Sequence, residues 1–244
     1  ARLYKEAGLP DGLFNVIAGD RHLVTDILTH PGIDAISFVG STPVAHIVQD
    51  TGIAHGKRVQ ALGGANNHAI VMPDADIEFA AQHISAGAFG AAGQRCMALP
   101  VIVTVGGVEE KLVPAIKARA EKIVVGPGTD PASEMGPVIT RSSQERITKW
   151  IDEAEAKGAN IVLDGRGYRP EGEEYADGFW LAPTIIDGVD RNLSVYCEEV
   201  FGPVLVVVHA DTYEEAIEIV NSSEFGNGSA IFTSDGDTAR HFVV

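Results

Sequence analysis

The sequence predicts an α/β protein in which helices cover mainly parallel sheets. Short apolar runs of strand character alternate with segments that repeat apolar residues at helical spacing. The connections between these runs are short, and many of them contain Gly or Pro. Such repeated strand–helix–strand units predict parallel neighbouring strands, because the helix returns the chain to the edge of the sheet at which the previous strand began.

The first quarter of the chain alternates in this way. Its predicted helices are residues 1–7, 20–30 and 41 to about 49, and its predicted strands are residues 13–19, 35–40 and 57–64. Gly8 is typical of a helix end, and Pro31-Gly32 ends the second helix. In Ser41-Thr42-Pro43 an N-cap hydroxyl and a proline at N1 predict the start of the third helix.

The alternation continues to the end of the chain. Further strands are predicted at residues 67–72, 101–105, 160–163, 180–186, 203–208 and 229–233. Further helices are predicted at residues 76 to about 92, 109–123, 142–158, 212–223 and from about 235 onward. Asp76 is the expected N-cap of the first of these helices, and Pro73 ends the strand before it.

Composition and charge narrow the class of function. The chain has 244 residues, with 34 acidic against 18 basic side chains and a formal net charge of −16. Nucleic-acid binding needs clustered Lys and Arg, and an anionic membrane surface repels such an acidic chain. Two cysteines cannot form a disulfide framework, and no apolar run approaches the ~20 residues that span a bilayer. These features predict a soluble, acidic, intracellular protein.

Both ends of the sequence predict a piece of a longer polypeptide. The chain has no initiator Met, and its first helix lacks a start signal. At the other end an acidic turn begins a helix that stops at Phe242, Val243 and Val244, which we expect to be left unburied. Frayed ends of a complete chain are the alternative.

The segment around Gly40 and Ser41 is a candidate phosphate site. It places a glycine and a hydroxyl between a predicted strand and a predicted helix, where free N–H groups attract an anion. Ordinary helix capping is the alternative. Because no Gly-x-Gly-x-x-Gly loop is present, a dinucleotide here is not expected to bind in the usual Rossmann way.

Cys96 is the candidate nucleophile. It follows a glycine-rich helix end, and the cation of Arg95 beside it would favour the thiolate. Surrounding glycines would leave room for a substrate and for backbone N–H groups that hold an oxyanion. A buried core thiol is the alternative. Cys197 stands beside Glu198 and Glu199, which oppose thiolate formation, so we interpret it as structural.

The acidic segment at 198–203 is a weaker candidate for cofactor binding. Glu199 could bind a ribose diol and Phe201 could lie near a nicotinamide, although a simple lead-in to the next strand explains the same residues.

The eight histidines show no metal-binding spacing, so no metal site is predicted. No Gly-x-Ser-x-Gly elbow and no Walker A loop is present.

Four segments in this order resemble motifs of the aldehyde dehydrogenase superfamily. They are Phe-Val-Gly-Ser-Thr-Pro-Val at 38–44, Leu-Gly-Gly at 62–64, Gly-Gln-Arg-Cys at 93–96 and Glu-Glu-Val-Phe-Gly-Pro-Val at 198–204. The chain is most similar to the CoA-acylating methylmalonate-semialdehyde dehydrogenase branch, through Gly-Gln-Arg-Cys-Met-Ala and the segment at 67–75. Ala61 fits that branch, because hydrolytic members carry a water-activating Glu immediately before Leu-Gly-Gly.

The resemblance implies a fold and a role for each candidate residue. Residues 1–63 would be the C-terminal part of a Rossmann-type NAD-binding domain, and residues 64–244 a truncated α/β catalytic domain. Cys96 would be the nucleophile and Arg95 a contact for the substrate carboxylate. The cofactor contacts would be Gly40 and Ser41 to the diphosphate of NAD, and Glu199, with Phe201 close by, to the nicotinamide ribose.

The implied reaction oxidises malonate or methylmalonate semialdehyde through a thioester on Cys96. The carboxylate would leave as CO₂ or bicarbonate, and coenzyme A would accept the acyl group as acetyl-CoA or propionyl-CoA. A hydrolytic aldehyde dehydrogenase of another specificity, or an inactive relative, is the alternative. Because relatives run to about twice this length, we expect little activity from these 244 residues alone. The resemblance also implies a homodimer or tetramer in the cytoplasm, or alternatively in the mitochondrial matrix.

Overall fold

A computed structural model describes residues 1–243 of the chain and divides it into two compact units. The first unit is Ala1–Gly64, and the second begins at Ala65. The predicted α/β class with mainly parallel sheets is confirmed, because every strand pair of the described chain except one is parallel.

The first unit contains one parallel strand pair. Its elements are α1 (Arg2–Glu6), α2 (Arg21–Thr29), β1 (Ala35–Val39), α3 (Thr42–Ala54) and β2 (Arg58–Leu62). Asp20 caps α2 by accepting the His22 N–H at 2.9 Å. The two strands pair from Ala35 with Arg58 to Val39 with Leu62, and α3 connects them. Helix α3 extends about one turn beyond the predicted end.

The predicted strand at residues 13–19 is wrong. These residues form a turn followed by irregular backbone. The side chains of Leu13, Val16 and Ile17 are more than 60% exposed, and that of Phe14 is 46% exposed. A strand requires a partner for its backbone N–H and C=O groups, and the apolar run alone does not supply one.

The second unit is built on a six-stranded sheet. Its strands are β3 (His68–Val71), β4 (Val101–Val105), β5 (Asn160–Leu163), β6 (Thr184–Asp187), β7 (Val204–Ala210) and β8 (Ser229–Phe232). Their order is β5-β6-β7-β4-β3-β8, and only β5 runs antiparallel to its neighbour. Strands β3 and β4 are buried along their whole length, as expected for a parallel sheet that is covered on both faces.

Helices cover this sheet. They are α4 (Ile77–Phe89), α5 (Glu109–Ala120), α6 (Arg141–Ala156), α7 (Ser194–Cys197), α8 (Tyr213–Asn221) and α9 (Gly236–Val243). Helix α4 ends at Phe89, earlier than predicted, because the backbone turns left-handed at Ala91. The predicted strand at 180–186 begins only at Thr184. Phe242 is half-buried against the core and not free as expected, whereas Val243 is 81% exposed and Val244 lies outside the described residues.

The amino ends of four parallel strands meet at one edge of the sheet. His68 of β3 pairs with Val101 of β4 and with Ser229 of β8, and Val101 pairs with Val206 of β7. The segments that lead into these strands therefore lie side by side. They contain Asn67, the Cys96 loop, the segment at 198–203 and Asn227.

Candidate active site

Cys96 occupies an exposed tight turn just before β4. The turn is closed by the Ala98 N–H, which donates to the Arg95 carbonyl at 3.0 Å and leaves Cys96 at the first central position. In the described part of the chain the Cys96 N–H donates to no carbonyl or side-chain oxygen. Cys96 is exposed in the described chain and is therefore not the buried core thiol of the alternative interpretation, and its N–H is not used by the protein's own hydrogen bonds.

The backbone that leads to this turn is left-handed over three residues. Ala91, Ala92 and Gly93 have φ values of 52°, 53° and 67°. This conformation is costly for Ala, and it persists only where the surroundings enforce it. It redirects the chain from the end of α4 toward the start of β4.

Gly93 joins the Cys96 loop to the segment at 198–203. A Cβ atom placed on Gly93 would lie 2.0 Å from the carbonyl oxygen of Gly202, so the two backbones are in direct contact. Phe201, next to Gly202, is itself left-handed at φ 49°. The fold thus brings together two of the motifs that the sequence carries more than 100 residues apart.

Arg95 holds the end of α4. Its Nη2 donates to the carbonyl oxygens of Ala86 at 2.9 Å and Gly87 at 3.0 Å. These carbonyls belong to the last turn of the helix, where a cation is favourable. The Leu99 N–H also donates to the Gly87 carbonyl, at 3.1 Å. Nε and Nη1 of Arg95 donate to no atom of residues 1–243, and they remain able to bind a carboxylate.

Glu199 is half-buried and accepts the Ala65 N–H on Oε1 at 3.2 Å. Burial raises the pKa of Glu199, and the Ala65 N–H and the Arg146 guanidinium partly oppose this shift. Arg146 donates from Nη2 to the Val200 carbonyl at 2.9 Å and stacks on Trp150. The segment at 198–203 is therefore tied to α6, and Glu199 Oε2 remains available to a ligand.

Cys197 lies in a different environment. Its thiol donates to the Arg191 carbonyl at 2.9 Å. Burial raises the pKa of Cys197, and the carboxylates of Glu198, Glu224 and Asp190 raise it further. Cys197 is exposed, as Cys96 is, but these carboxylates disfavour its thiolate, and its structural role stays a prediction.

Ser41 is the N-cap of α3, but its hydroxyl makes no capping bond. The ordinary-capping alternative therefore does not account for this side chain, which is exposed. Gly40 is held by its N–H, which donates to the Leu62 carbonyl at 3.1 Å. The first N–H groups of a 13-residue helix and an uncommitted hydroxyl suit a phosphate group.

Sequence reasoning missed Asn67 and Asn227 as parts of the Cys96 site. Both side-chain amides donate to the carbonyl oxygen of Cys96, at 2.9 and 2.7 Å. Their sequence signal was an asparagine placed directly before β3 and another in the Gly-Asn-Gly segment before β8. Both belong to the edge where the strand starts converge.

Two features are absent from the residues that the structure describes. Residues 1–243 contain no group of three His, Cys, Asp or Glu side chains arranged to hold a metal ion. Among the helices of the same residues, none is long and apolar enough to cross a membrane.

The chain is similar to proteins of a known family. The family model described as "Aldehyde dehydrogenase family" matches residues 1–244. The bovine protein named methylmalonate-semialdehyde/malonate-semialdehyde dehydrogenase [acylating], mitochondrial, is 47% identical over 242 residues, which are 99% of this chain and 44% of the relative. The chain therefore spans about half the length of the curated relatives it matches.

Two solved structures are also similar. A methylmalonate-semialdehyde dehydrogenase from Oceanimonas doudoroffii has a TM-score of 0.95 and 48% identity, covering 100% of this chain and 50% of that protein. A betaine aldehyde dehydrogenase from Staphylococcus aureus in complex with NAD⁺ has a TM-score of 0.90 and 32% identity, covering 99% of this chain and 48% of that protein.

Proposed function

We propose a function from the premise that this chain belongs to the aldehyde dehydrogenase family. The chain supplies the catalytic thiol for NAD-dependent oxidation of malonate or methylmalonate semialdehyde to a CoA thioester. Because the chain spans about half the length of its relatives, this activity is proposed for a polypeptide of their length that contains these residues.

The observation that carries the proposal is the state of Cys96. Its thiol is exposed, and its own N–H has no acceptor within the described chain. A thiol and an N–H donor on one residue can attack a carbonyl carbon and hold the oxyanion that the attack creates. The names of the bovine relative and of the Oceanimonas doudoroffii protein, both methylmalonate-semialdehyde dehydrogenases, support the choice of substrate.

The first half of the reaction makes a thioester on Cys96. The Cys96 thiolate bonds to the aldehyde carbon, and the carbonyl oxygen becomes an oxyanion that is held partly by the Cys96 N–H. NAD, when bound, supplies the acceptor for the hydride that leaves this carbon. Arg95 binds the substrate carboxylate through the guanidinium N–H groups that do not hold the end of α4.

The residues proposed to hold NAD fit its groups. Ser41 offers an uncommitted hydroxyl at the start of α3, and Gly40 allows close approach of an anion to the backbone. Glu199 offers Oε2 to the hydroxyl groups of the nicotinamide ribose while Ala65 holds Oε1. Phe201 stands close to Glu199 in sequence and is proposed to contact the same part of the cofactor.

The second half transfers the acyl group. Ala61 stands where hydrolytic relatives carry a general base, whose assistance typically contributes about 10²–10⁴-fold to the rate. Water is therefore a poor acceptor, and the more nucleophilic CoA thiolate attacks the thioester carbonyl and releases the Cys96 thiolate. Before this transfer the C–C bond to the carboxylate breaks, CO₂ leaves (as bicarbonate once it adds water), and the α-carbon keeps the electron pair and takes a proton from solvent. We also propose that the complete enzyme is a homodimer or tetramer.

The proposal predicts that turnover requires CoA. In a polypeptide of the relatives' length that contains these residues, NADH formation from malonate semialdehyde should need CoA beyond the first turnover. Ala61→Glu should introduce a base and raise CoA-independent turnover by about 10²-fold or more. The matched variant Ala61→Gln, which has similar size and no base, should not.

Two outcomes favour the alternatives. Full turnover of the unmodified enzyme without CoA indicates a hydrolytic aldehyde dehydrogenase. Absence of NADH with every semialdehyde tested, together with an intact fold by circular dichroism, indicates an inactive relative.

A further inference from the structure

We propose that Asn67, assisted by Asn227, is a positioning residue that holds the Cys96 turn in its reactive geometry. The inference rests on the proposed function, because it assigns the support of the nucleophile in that reaction. Asn67 acts through the backbone of Cys96 and touches no reacting atom.

The contacts of Asn67 use three of its hydrogen-bonding positions. Its Nδ2 donates to the carbonyl oxygens of Cys96 at 2.9 Å and Ala98 at 2.6 Å. Its Oδ1 accepts the Gly228 N–H at 2.9 Å. The side chain is only 6% exposed, so this orientation is fixed by the protein and not by solvent. One buried amide therefore connects the Cys96 turn to the chain that enters β8.

Asn227 adds a second donor to the same oxygen. Its Nδ2 donates to the Cys96 carbonyl at 2.7 Å from an exposed position beside Gly228. Asn227 has a φ of 124°, an unusual conformation for a residue with a side chain. The side-chain amides of Asn67, just before β3, and of Asn227, just before β8, thus both donate to the Cys96 carbonyl oxygen.

Holding this carbonyl fixes the second of the two peptide planes that flank the Cys96 side chain. The plane before Cys96 contains the Cys96 N–H and the Arg95 carbonyl, and the Ala98 N–H already holds it. The plane after Cys96 could otherwise rotate, and the bonds to Asn67 and Asn227 hold it. With both planes held, the Cys96 N–H and the bond from Cα to the thiol-bearing Cβ keep one orientation toward an incoming carbonyl group. Oxyanion stabilisation depends on that orientation, because the donor must point at the place where charge develops.

The neighbouring Asn66 provides a matched control. It is also buried, and its Nδ2 donates to the Tyr196 carbonyl at 2.7 Å and not to the Cys96 turn. Removing either amide deletes a buried donor next to β3, but only the loss of Asn67 frees the Cys96 carbonyl from a partner.

The test compares two reactions of Cys96 in the 244-residue chain. In acetylation by p-nitrophenyl acetate, the Cys96 sulfur bonds to the ester carbonyl carbon and p-nitrophenolate leaves with its electron pair; the oxyanion formed on the way needs an aligned N–H. In alkylation by iodoacetamide, the sulfur bonds to the CH₂ carbon and iodide leaves, and no oxyanion forms. Peptide mass spectrometry measures both rates at Cys96, and circular dichroism checks the fold.

We expect Asn67→Ala and Asn67→Asp to slow acetylation on the order of tenfold more than alkylation. Asn67→Asp keeps the acceptor for the Gly228 N–H but cannot donate. Asn66→Ala should leave the ratio of the two rates unchanged. Asn227→Gly removes an exposed amide, and glycine suits the unusual φ of this position. It should lower the ratio of the acetylation rate to the alkylation rate by less than the Asn67 variants do.

Two results would overturn the inference. One is an unchanged ratio in folded Asn67 variants. The other is an equal loss of both rates in proportion to unfolded protein, which is what a purely structural role predicts. If the buried variants do not fold, Asn227→Gly decides in the same way, and an unchanged ratio in that variant contradicts the proposal. Neither reaction uses NAD or CoA, so failure here is distinct from failure of the proposed dehydrogenase activity.

Discussion

Ala91, Ala92 and Gly93 show how single residues shape the approach to Cys96. The two alanines adopt left-handed backbone that costs roughly 1–2 kcal/mol per residue. This cost is offset where the segment is fixed by neighbours, here the Gly202 backbone against Gly93 and the Gln94 N–H bonded to the Ala91 carbonyl at 3.0 Å. Strained backbone of this kind persists only where the surrounding structure enforces it.

Gly93→Ala should therefore be strongly destabilising. The new Cβ would lie 2.0 Å from the Gly202 carbonyl oxygen, and the φ of 67° disfavours any side chain. We expect a loss of about 2–4 kcal/mol in the free energy of unfolding, measured by urea denaturation. Gly128→Ala is the control, since nothing lies within 4 Å of its new Cβ. Equal effects of the two substitutions would show that the contact with Gly202 is not tight.

At the scale of elements, the site follows from where strands begin. Ligands of open parallel sheets usually bind beyond the carboxyl ends of the strands. Here the Cys96 turn and the segment at 198–203 precede β4 and β7, and the two asparagines precede β3 and β8. Helix α4 contributes its carboxyl end, which Arg95 satisfies.

The N-cap of α4 gives a prediction at this scale. Asp76 accepts the Phe79 N–H at 3.0 Å and satisfies one of the free donors of the first turn. Asp76→Ala should lower the free energy of unfolding by about 1 kcal/mol, as measured by urea denaturation. Asp76→Asn keeps an equivalent acceptor and should cost much less. A similar loss in both variants would point to the charge of Asp76 and not to its capping bond.

At the scale of the whole molecule, buried ionisable groups make stability depend on pH. Burial lowers the pKa of His68, whose Nδ1 lies 2.8 Å from the Asn66 carbonyl oxygen and whose Nε2 lies 3.2 Å from the Tyr196 hydroxyl. Burial raises the pKa of Glu199, so the contribution of this carboxyl group to the free energy of unfolding changes over a different pH range. The pH dependence of the free energy of unfolding is the sum of the contributions of all such groups.

For His68 the sign follows from its lowered pKa. The unfolded imidazole binds a proton near pH 6.5, whereas the folded one does so only at lower pH. The contribution of His68 to the free energy of unfolding is therefore fully present above about pH 6.5 and is lost as the pH falls through the pKa of the folded state. We expect the free energy of unfolding, measured in urea, to fall less between pH 7.5 and pH 5.5 in His68→Gln than in the unmodified chain.

His83→Gln removes an exposed histidine of α4 and serves as the control. It should retain the pH dependence of the unmodified chain. If His68→Gln retains it as well, the loss of stability in acid comes from other groups.

Local sequence patterns were enough to predict the α/β class, most helices and strands, and the two segments that carry Cys96 and Glu199. These patterns, such as apolar period, caps and glycine turns, depend on residues that are neighbours in the chain. Long-range contacts were needed to show that residues 13–19 form no strand in this chain, that Arg95 holds a helix end, and that Asn67 and Asn227 share the Cys96 carbonyl. Strand pairing and side-chain amide contacts join residues far apart in the chain, so their partners exist only once the sheet has formed.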